Sequence, residues 1–128
     1  MHRTARNACP CGSGPSLAQC CGRYHGGEFA PDAVSLMRSR YSAFVLGDEA
    51  YLLSTWHPST RPQRVEFETG LKWLGLQVRR SSVPESGHAV VEFVARYRIG
   101  GRGHRLHEVS RFRCEQGAWF YVDGDILD

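Results

Sequence analysis

The sequence contains no run of about 18 apolar residues, the length that a membrane-spanning helix requires, so we predict no membrane span. No apolar segment follows the positively charged first residues, so we predict no secretory leader and expect a cytoplasmic protein. Internal repeats and low-complexity tracts are also lacking. With 128 residues, 41% hydrophobic and 23% charged, the chain is predicted to be globular and of ordinary domain size.

Lysine is almost absent, since 15 of the 16 basic residues are Arg and only Lys72 is Lys. Arginine favours bidentate contacts to carboxylate or phosphate groups, although codon bias would produce the same composition. The formal charge of +3 is too small to indicate a nucleic-acid partner by itself.

Cysteine, in contrast, is concentrated in one place. Four of the five cysteines lie within thirteen residues, as Cys9, Cys11, Cys20 and Cys21. Structural zinc sites take four Cys or His ligands in a tetrahedron, so this array predicts one Zn²⁺ ion. The fourth ligand is either Cys21 or His25. The fifth cysteine, Cys114, stands alone and is predicted to be a small buried hydrophobe.

Disulfide bonds and redox-active thiols are the alternatives to a metal. Bridges within Cys9–Cys11 or Cys20–Cys21 would close very tight rings, while bridges between the two pairs are sterically possible. Disulfides belong to oxidising compartments, for which the sequence carries no signal. Glycines at 12, 14 and 22 favour the metal, because backbone amides must turn tightly toward thiolate sulfur.

We predict two units, residues 1–27 and residues 28–128. The first has almost no apolar residues beyond Leu17 and Tyr24, so zinc binding would have to supply its folding energy, on the order of 10 kcal/mol. His25 and the two glycines that follow it are predicted to form a short hinge.

The second unit begins with helical signals and continues with strand signals. Asp32 is predicted to cap a first helix that ends at Gly47, and Asp48 a second helix that reaches Trp56. A third short helix is predicted over 62–69. Alternating apolar residues and glycine-rich turns then predict four antiparallel strands at about 73–83, 88–99, 104–114 and 118–122. The predicted class is α+β, with about three helices packed on one face of a four-stranded antiparallel sheet.

Several segments resemble known families. The run Cys-Pro-Cys-Gly-Ser-Gly at 9–14, followed by Cys-Cys-Gly at 20–22, resembles the SEC-C zinc motif, named for the C-terminal tail of the SecA translocation ATPase. The YchJ family of bacterial proteins is similar over residues 36–44, 55–59, 73–76, 93–96, 108–112 and 119–124.

The resemblance implies a SEC-C module on a domain similar to nuclear transport factor 2, a cone of helices against a curved sheet. It favours Cys21 as the fourth zinc ligand. The SEC-C motif of SecA is associated with partner docking, so the resemblance also implies an adaptor with a protein or ribosomal partner. Arg3, Arg6, Arg23 and Tyr24 are available for that contact. No activity of the family can be carried over.

A cone of this kind would enclose a pocket that could hold a small molecule. Alternation along the third strand places Glu108 and Ser110 on its apolar face. Glu108 is either a general acid or base with a raised pKa or the anchor of an ion pair with Arg38. In the first case His57 is its complement and Ser110 or Tyr41 an orienting hydroxyl. Arg40 is a second available partner for Glu108.

The outer sheet face is the third candidate surface. Six arginines could form a basic stripe on it: Arg79, Arg80, Arg96, Arg98, Arg111 and Arg113. Alternatively, these arginines form cross-strand ion pairs with acidic residues on the same solvent-exposed face. The stripe predicts contact with a nucleic-acid backbone only if Glu66, Glu68, Glu92 and Glu115 lie elsewhere.

Overall fold

The computed structural model describes residues 8–127. Two of its three α-helices begin where the capping signals predict; the first also ends as predicted, whereas the second ends at Ser54, two residues before the predicted Trp56. In α2 (Ala33–Leu46) the Asp32 carboxylate accepts a hydrogen bond from the Ser35 N–H at 2.7 Å. Gly47 ends the helix in the left-handed region, at φ 72°. In α3 (Glu49–Ser54) the Asp48 carboxylate accepts from the Tyr51 N–H.

The predicted helix over 62–69 is wrong. This segment has no regular secondary structure, and its backbone is held by side chains from elsewhere in the fold. The Val65 N–H donates to the Glu49 carboxylate at 2.8 Å, and Phe67 packs edge-on against Phe44. The third helix of the described chain is instead α1 (Cys21–His25), which follows a 3₁₀ turn at Leu17–Gln19. Both lie in residues 8–27, which we call the cysteine-rich segment.

The four strands form one antiparallel sheet in the order β1-β2-β3-β4. Their bounds are Lys72–Glu85, His88–Ile99, Arg102–Glu115 and Ala118–Leu127. The second strand matches its prediction, whereas β4 continues five residues past the predicted end at 122. Asp123, Gly124 and Asp125 resemble a turn in sequence, yet they pair with Arg111, Ser110 and Val109 of β3. The predicted class, three helices with a four-stranded antiparallel sheet, is confirmed.

The sheet face that packs against α2 carries the residues that alternation predicts. Ala89, Val91, Phe93 and Ala95 of β2 are buried on it. Glu108, Ser110 and Phe112 of β3 are buried as well. Their β3 neighbours in sequence are less buried, which is the period of two expected for a sheet with one covered face.

The cysteine-rich segment belongs to the same core. Cys9, Cys11, Cys21 and Tyr24 are buried in the cluster that also contains Leu36 of α2. The predicted hinge is a helix end, because the N–H groups of Gly26 and Gly27 donate to carbonyls of α1. The division at residue 27 stays a prediction. Within residues 8–127 no helix is long and apolar enough to cross a membrane.

Candidate metal centre and α2–sheet cavity

The four cysteines that the spacing singles out converge in space. The Sγ atoms of Cys9, Cys11, Cys20 and Cys21 all lie within 4.8 Å of one another, and we call this group the cysteine cluster. Cys9, Cys11 and Cys21 are buried and Cys20 is half-buried. Four thiols at such short range, mostly shielded from water, form a ready-made donor set for one metal ion.

Local backbone geometry brings the first pair of cysteines to the second. The Cys9 N–H donates to the Pro15 carbonyl at 2.9 Å, and the Gly12 N–H donates to the Cys9 carbonyl at 3.1 Å. Gly12 and Gly14 have φ values of 81° and 113°, which side chains rarely tolerate, so glycine allows the loop to close. The cluster therefore sits between a tight loop and the start of α1.

The sulfur separations fit a tetrahedral metal centre better than a disulfide. A tetrahedron of sulfurs about 2.3 Å from a central ion has edges of about 3.8 Å. The Sγ atoms of Cys11 and Cys20 are 3.7 Å apart, close to that edge. A disulfide would need about 2.05 Å, and all five cysteines are free thiols.

Close packing of the thiols lowers the pKa of one of them and raises the pKa of two others. The contact with Cys21 lowers the pKa of Cys11 to about 4, and the same contact together with burial raises the pKa of Cys21. The thiol of Cys20 lies 3.0 Å from the Ser13 hydroxyl. Metals bind thiolates, so the lowered pKa of Cys11 favours capture of a cation at this site.

His25 lies apart from the cysteine cluster. Its Nε2 is 2.8 Å from the Ser39 carbonyl of α2, and its ring packs on Tyr51 with centroids 4.6 Å apart. Because a carbonyl oxygen can only accept, Nε2 of His25 donates in this hydrogen bond. The geometry thus brings Cys21, rather than His25, to the other three cysteines.

The cysteine-rich segment is docked on one face of α2. The Arg38 Nη1 donates to the Cys11 carbonyl at 3.1 Å, and the Cys9 Sγ lies 3.5 Å from the Ser42 Oγ. Ser42 is fully buried beneath this contact. Arg38 therefore fixes the loop that carries Cys9 and Cys11 to α2, and the predicted ion pair between Arg38 and Glu108 is wrong.

A cavity of about 220 Å³ separates the opposite face of α2 from the sheet, and we call it the α2–sheet cavity. Three of the predicted pocket residues line it, namely Tyr41, Glu108 and Ser110, whereas Arg38 and His57 do not. Arg40 lines it instead. Half of its twelve lining residues are aromatic, namely Tyr41, Phe44, Trp56, Trp73, Phe93 and Tyr121.

Glu108 is held by hydroxyl groups. The Ser110 hydroxyl donates to Glu108 Oε2 at 2.6 Å, and the Tyr121 hydroxyl donates to the same oxygen at 3.3 Å. Gly124 leaves room for this carboxylate, because a Cβ there would overlap it. Sequence alternation placed Glu108 correctly, yet it could not show that hydroxyl groups satisfy it.

Arg40 is the basic residue of the cavity wall, the position for which the sequence favours Arg38. Arg40 Nη1 donates to the Leu52 carbonyl at 2.8 Å and to the Thr55 hydroxyl at 2.7 Å. Its guanidinium stacks over the rings of Trp56 and Tyr121, 4.9 and 4.7 Å from their centroids. Burial lowers the pKa of Arg40 to about 10, so it remains a cation at neutral pH.

His57 serves the fold at a different place. Its backbone N–H donates to the Tyr121 carbonyl at 2.8 Å, and its ring nitrogen Nε2 lies 3.0 Å from a carboxylate oxygen of Glu115. That contact lowers the pKa of Glu115. Ser59 also bonds the ring at Nδ1, but His57, Ser59 and Glu115 all lie outside the lining of the α2–sheet cavity. His57 therefore fastens the segment after α3 to the sheet and does not complement Glu108.

The outer sheet face carries paired charges. Arg80 pairs with Glu92 at 3.0 Å, and Arg111 pairs with both Asp123 and Asp125. Glu92 also binds His107 at 2.7 Å. Acidic partners thus neutralise part of the predicted arginine stripe, which disfavours a nucleic-acid footprint.

Buried tyrosines predict a loss of stability at alkaline pH. Burial raises the pKa of Tyr41 to about 12 and also raises the pKa values of Tyr51 and Tyr121. Unfolded tyrosine titrates near pH 10, so the stabilisation is complete below about pH 10 and is lost as pH rises through about 12. We expect urea unfolding to show a falling free energy across this window. Tyr41→Phe should reduce the slope, and an unchanged slope would contradict this assignment.

Solved structures place the fold and the cysteine cluster in one class. A SEC-C motif protein from Rhodopseudomonas palustris, solved in solution, superposes with a TM-score of 0.82 at 34% identity, covering 94% of this chain and 98% of its own. A SEC-C motif protein from Psychrobacter arcticus superposes with a TM-score of 0.78 at 26% identity, covering 94% and 82%. The chain is thus of the class that joins a SEC-C-type cysteine motif to an α+β domain.

Sequence comparison then defines the family. A profile described as the middle, NTF2-like domain of YchJ matches residues 32–124. A UPF0225 protein of Bordetella bronchiseptica is 56% identical over 129 residues, which cover 98% of this chain and 97% of that protein. The chain belongs to the YchJ family.

Proposed function

We propose that the cysteine cluster binds one structural Zn²⁺ ion and that the module so formed docks a protein or ribosomal partner. The observation that carries the metal is the convergence of four thiols within 4.8 Å. An all-sulfur tetrahedral donor set suits zinc, which prefers soft thiolate ligands in this geometry. With four protein ligands the shell is closed, so the ion supplies folding energy and no catalytic water.

The exposed side of the module supports the docking role. Loop residues 12–15 and the Arg23 side chain are exposed, and Phe29 just beyond α1 is 63% exposed. An outer groove of about 460 Å³ lies beside Phe29 and is lined in part by Phe29, Tyr51, Trp119 and Phe120. Aromatic and arginine side chains at the centre of an interface contribute most to binding. Arg3 and Arg6, also predicted to contribute, lie outside the described residues.

Replacing Phe29 tests the docking role separately from metal binding. We expect Phe29→Ser to weaken capture of a purified ribosome, or of a cross-linked protein partner, by about tenfold or more, because it removes an exposed aromatic anchor. Metal content, measured by elemental analysis, should remain one zinc per chain. Cys20→Ser should lose both the zinc and the partner.

Phe67→Ser is the matched control for this experiment. Phe67 is also an exposed phenylalanine, at 41%, but it lies in the segment before β1 and borders a different part of the surface. Its variant should retain both zinc and partner. Retained capture by the zinc-free Cys20→Ser chain would refute the docking role, and absence of zinc from the gently purified wild type would refute the metal.

A second function is favoured by the α2–sheet cavity. We propose that the cavity binds a small molecule, because it is hollow and carries a buried cation as well as aromatic walls. The residues of this candidate are Arg40, Glu108 and Tyr121, whereas the sequence alone predicts Glu108 with Arg38 and His57. It is independent of the docking role, since the cavity lies on the opposite face of α2 from the cysteine-rich segment.

A further inference from the structure

We propose that the end of the sheet near the turn between β2 and β3 binds the phosphate backbone of a nucleic acid. The binding surface consists of four exposed basic residues on the outer sheet face, which we call the hairpin cations: Lys72, Arg96, Arg98 and Arg105. None of them belongs to the cysteine cluster or lines the α2–sheet cavity, so the proposal is independent of both functions proposed above.

The register of the strands places the hairpin cations on one face. Arg96 of β2 lies directly opposite Arg105 of β3, and Arg98 lies directly opposite Lys72 of β1. Directly opposite residues of an antiparallel pair project from the same face, and so do residues two apart along one strand. Glu92 lies on this face as well, four residues before Arg96, which identifies it as the outer face.

The acidic residues of the outer face lie farther from this turn. Glu92, Asp123 and Asp125, which neutralise part of the arginine stripe, lie opposite positions 109–111 of β3. Residues 93–107, which form the turn and the strand ends beside it, contain no Asp or Glu. The acids therefore disfavour a nucleic-acid footprint over the whole stripe, but they leave this end of the sheet basic.

The hairpin cations have no counter-charge of their own. Among residues 8–127, none of the four forms a salt bridge, whereas Arg80 and Arg111 on the same face are paired with acids. The small net charge of +3 for the whole chain thus hides a local surplus of positive charge. A surface of this kind attracts polyanions.

Two pairs of like charges make this surface costly to the isolated protein. Like charges directly opposite each other on neighbouring strands destabilise a sheet, and both Arg96–Arg105 and Lys72–Arg98 have this arrangement. An anion from outside the described chain would relieve the repulsion. Arginine suits phosphate in particular, because the fork of N–H groups on its guanidinium binds two oxygens at once.

The spacing of the hairpin cations favours a polymer over a single small anion. Neighbouring strands lie about 4.8 Å apart, and alternate residues of one strand lie roughly 7 Å apart. The four positive charges are therefore spread over three strands, and one phosphate cannot contact all of them. A nucleic acid carries a phosphate on every nucleotide, so one strand can neutralise all four together.

The salt dependence of binding tests the proposal on the full chain. For single strands, the logarithm of affinity falls with the logarithm of salt concentration by about 0.7 per neutralised phosphate. Four contacts with a fluorescently labelled oligouridylate therefore predict a loss of about fiftyfold in affinity between about 50 and 200 mM salt, measured by fluorescence anisotropy.

Removal of one cross-strand pair should remove half of this effect. The variant with Arg96→Gln and Arg105→Gln, which we call the hairpin variant, should bind about tenfold more weakly or worse at the lower salt concentration, and its loss between the two salt concentrations should be only about sevenfold. Its melting temperature should not fall, because the substitutions remove a repulsion. Lys72→Gln with Arg98→Gln should give the same result.

The matched control replaces two exposed arginines that have acidic partners. Arg64 pairs with Glu66 at 3.1 Å and Arg80 pairs with Glu92 at 3.0 Å, so Arg64→Gln with Arg80→Gln removes the same net charge as the hairpin variant. This control should bind within about twofold of the wild type.

Three results would overturn the proposal. The first is no binding of the oligouridylate by the wild type at the lower salt concentration. The second is an equal loss of affinity in the control and the hairpin variant, which would assign binding to net charge. The third is equally tight binding of a peptide of Asp and Glu or of anionic lipid vesicles, which would assign the surface to another partner.

Discussion

Removal of the proposed Zn²⁺ ion with a high-affinity chelator should lower the free energy of unfolding of the full chain by roughly 5–10 kcal/mol. The cysteine-rich segment has few apolar side chains, so without the ion only a few hydrogen bonds and a small buried surface hold Cys9 and Cys11 near Cys20 and Cys21. The loss of stability should extend to α2, because Arg38 and Ser42 of this helix contact Cys11 and Cys9 of that segment. A decrease of this size is comparable with the total stability of a small domain.

Thermal unfolding followed by circular dichroism measures this effect. Cys11→Ser should reproduce the chelated state, because Cys11 is fully buried in the cluster. Cys114→Ser is the matched control, since this half-buried thiol lies on β3 away from the cluster, and it should change the stability by no more than about 1 kcal/mol. A melting temperature that is the same with and without chelator would show that no metal supports the fold.

Gly22→Ala should destabilise the protein and weaken its hold on zinc. A Cβ at position 22 would lie 2.6 Å from the Leu17 carbonyl oxygen and 3.2 Å from its carbon, and backbone atoms cannot move aside cheaply. Overpacking of this kind costs about 1–3 kcal/mol. Because Gly22 follows Cys21 directly, the strain should also displace a metal-ligating sulfur, so we expect zinc affinity to fall by tenfold or more, the factor that about 1.4 kcal/mol produces.

Gly26→Ala provides the control for Gly22→Ala. Position 26 has helical geometry, at φ −84°, and a Cβ there would meet its nearest neighbour, the Gly22 carbonyl oxygen, at 3.4 Å. The stability should therefore change by no more than about 0.5 kcal/mol. Competition against a chromogenic chelator measures the zinc affinity of both variants. Equal affinities would show that the close approach of Gly22 to Leu17 does not position the metal ligands.

Sequence patterns were sufficient to predict the features of the fold that depend on residues close together in the chain. Asp32 and Asp48 cap their helices because the side chain reaches an N–H three residues ahead, and the strand turns follow from glycine. The convergence of the four cysteines was also predictable, because four clustered thiols and glycines fit few arrangements other than a metal site. Alternation along β3 likewise placed Glu108 and Ser110 on the buried face.

Sequence patterns failed to predict the features that depend on how distant segments of the chain pack together. Arg38 and Arg40 are two positions apart and so point to nearly opposite sides of α2. Both sides are covered, one by the cysteine-rich segment and the other by the sheet, so apolar spacing could not show which arginine faces the cavity. The buried indole nitrogen of Trp56 has no hydrogen-bond partner within residues 8–127, which was equally unpredictable, because only the assembled structure shows which donors lack a partner.

The short pairing of residues 55–57 with β4 has a consequence for behaviour at high concentration. The outermost strands of an open sheet present free N–H and C=O groups that invite edge-to-edge association with other molecules. Along β4, the Tyr121 N–H donates to Thr55 and the Tyr121 carbonyl accepts from His57, so part of that border is already occupied. On the opposite border, β1 is interrupted by three register shifts and contains Pro84, which has no N–H to offer. Both flanks of the sheet therefore carry a feature that hinders edge-to-edge association.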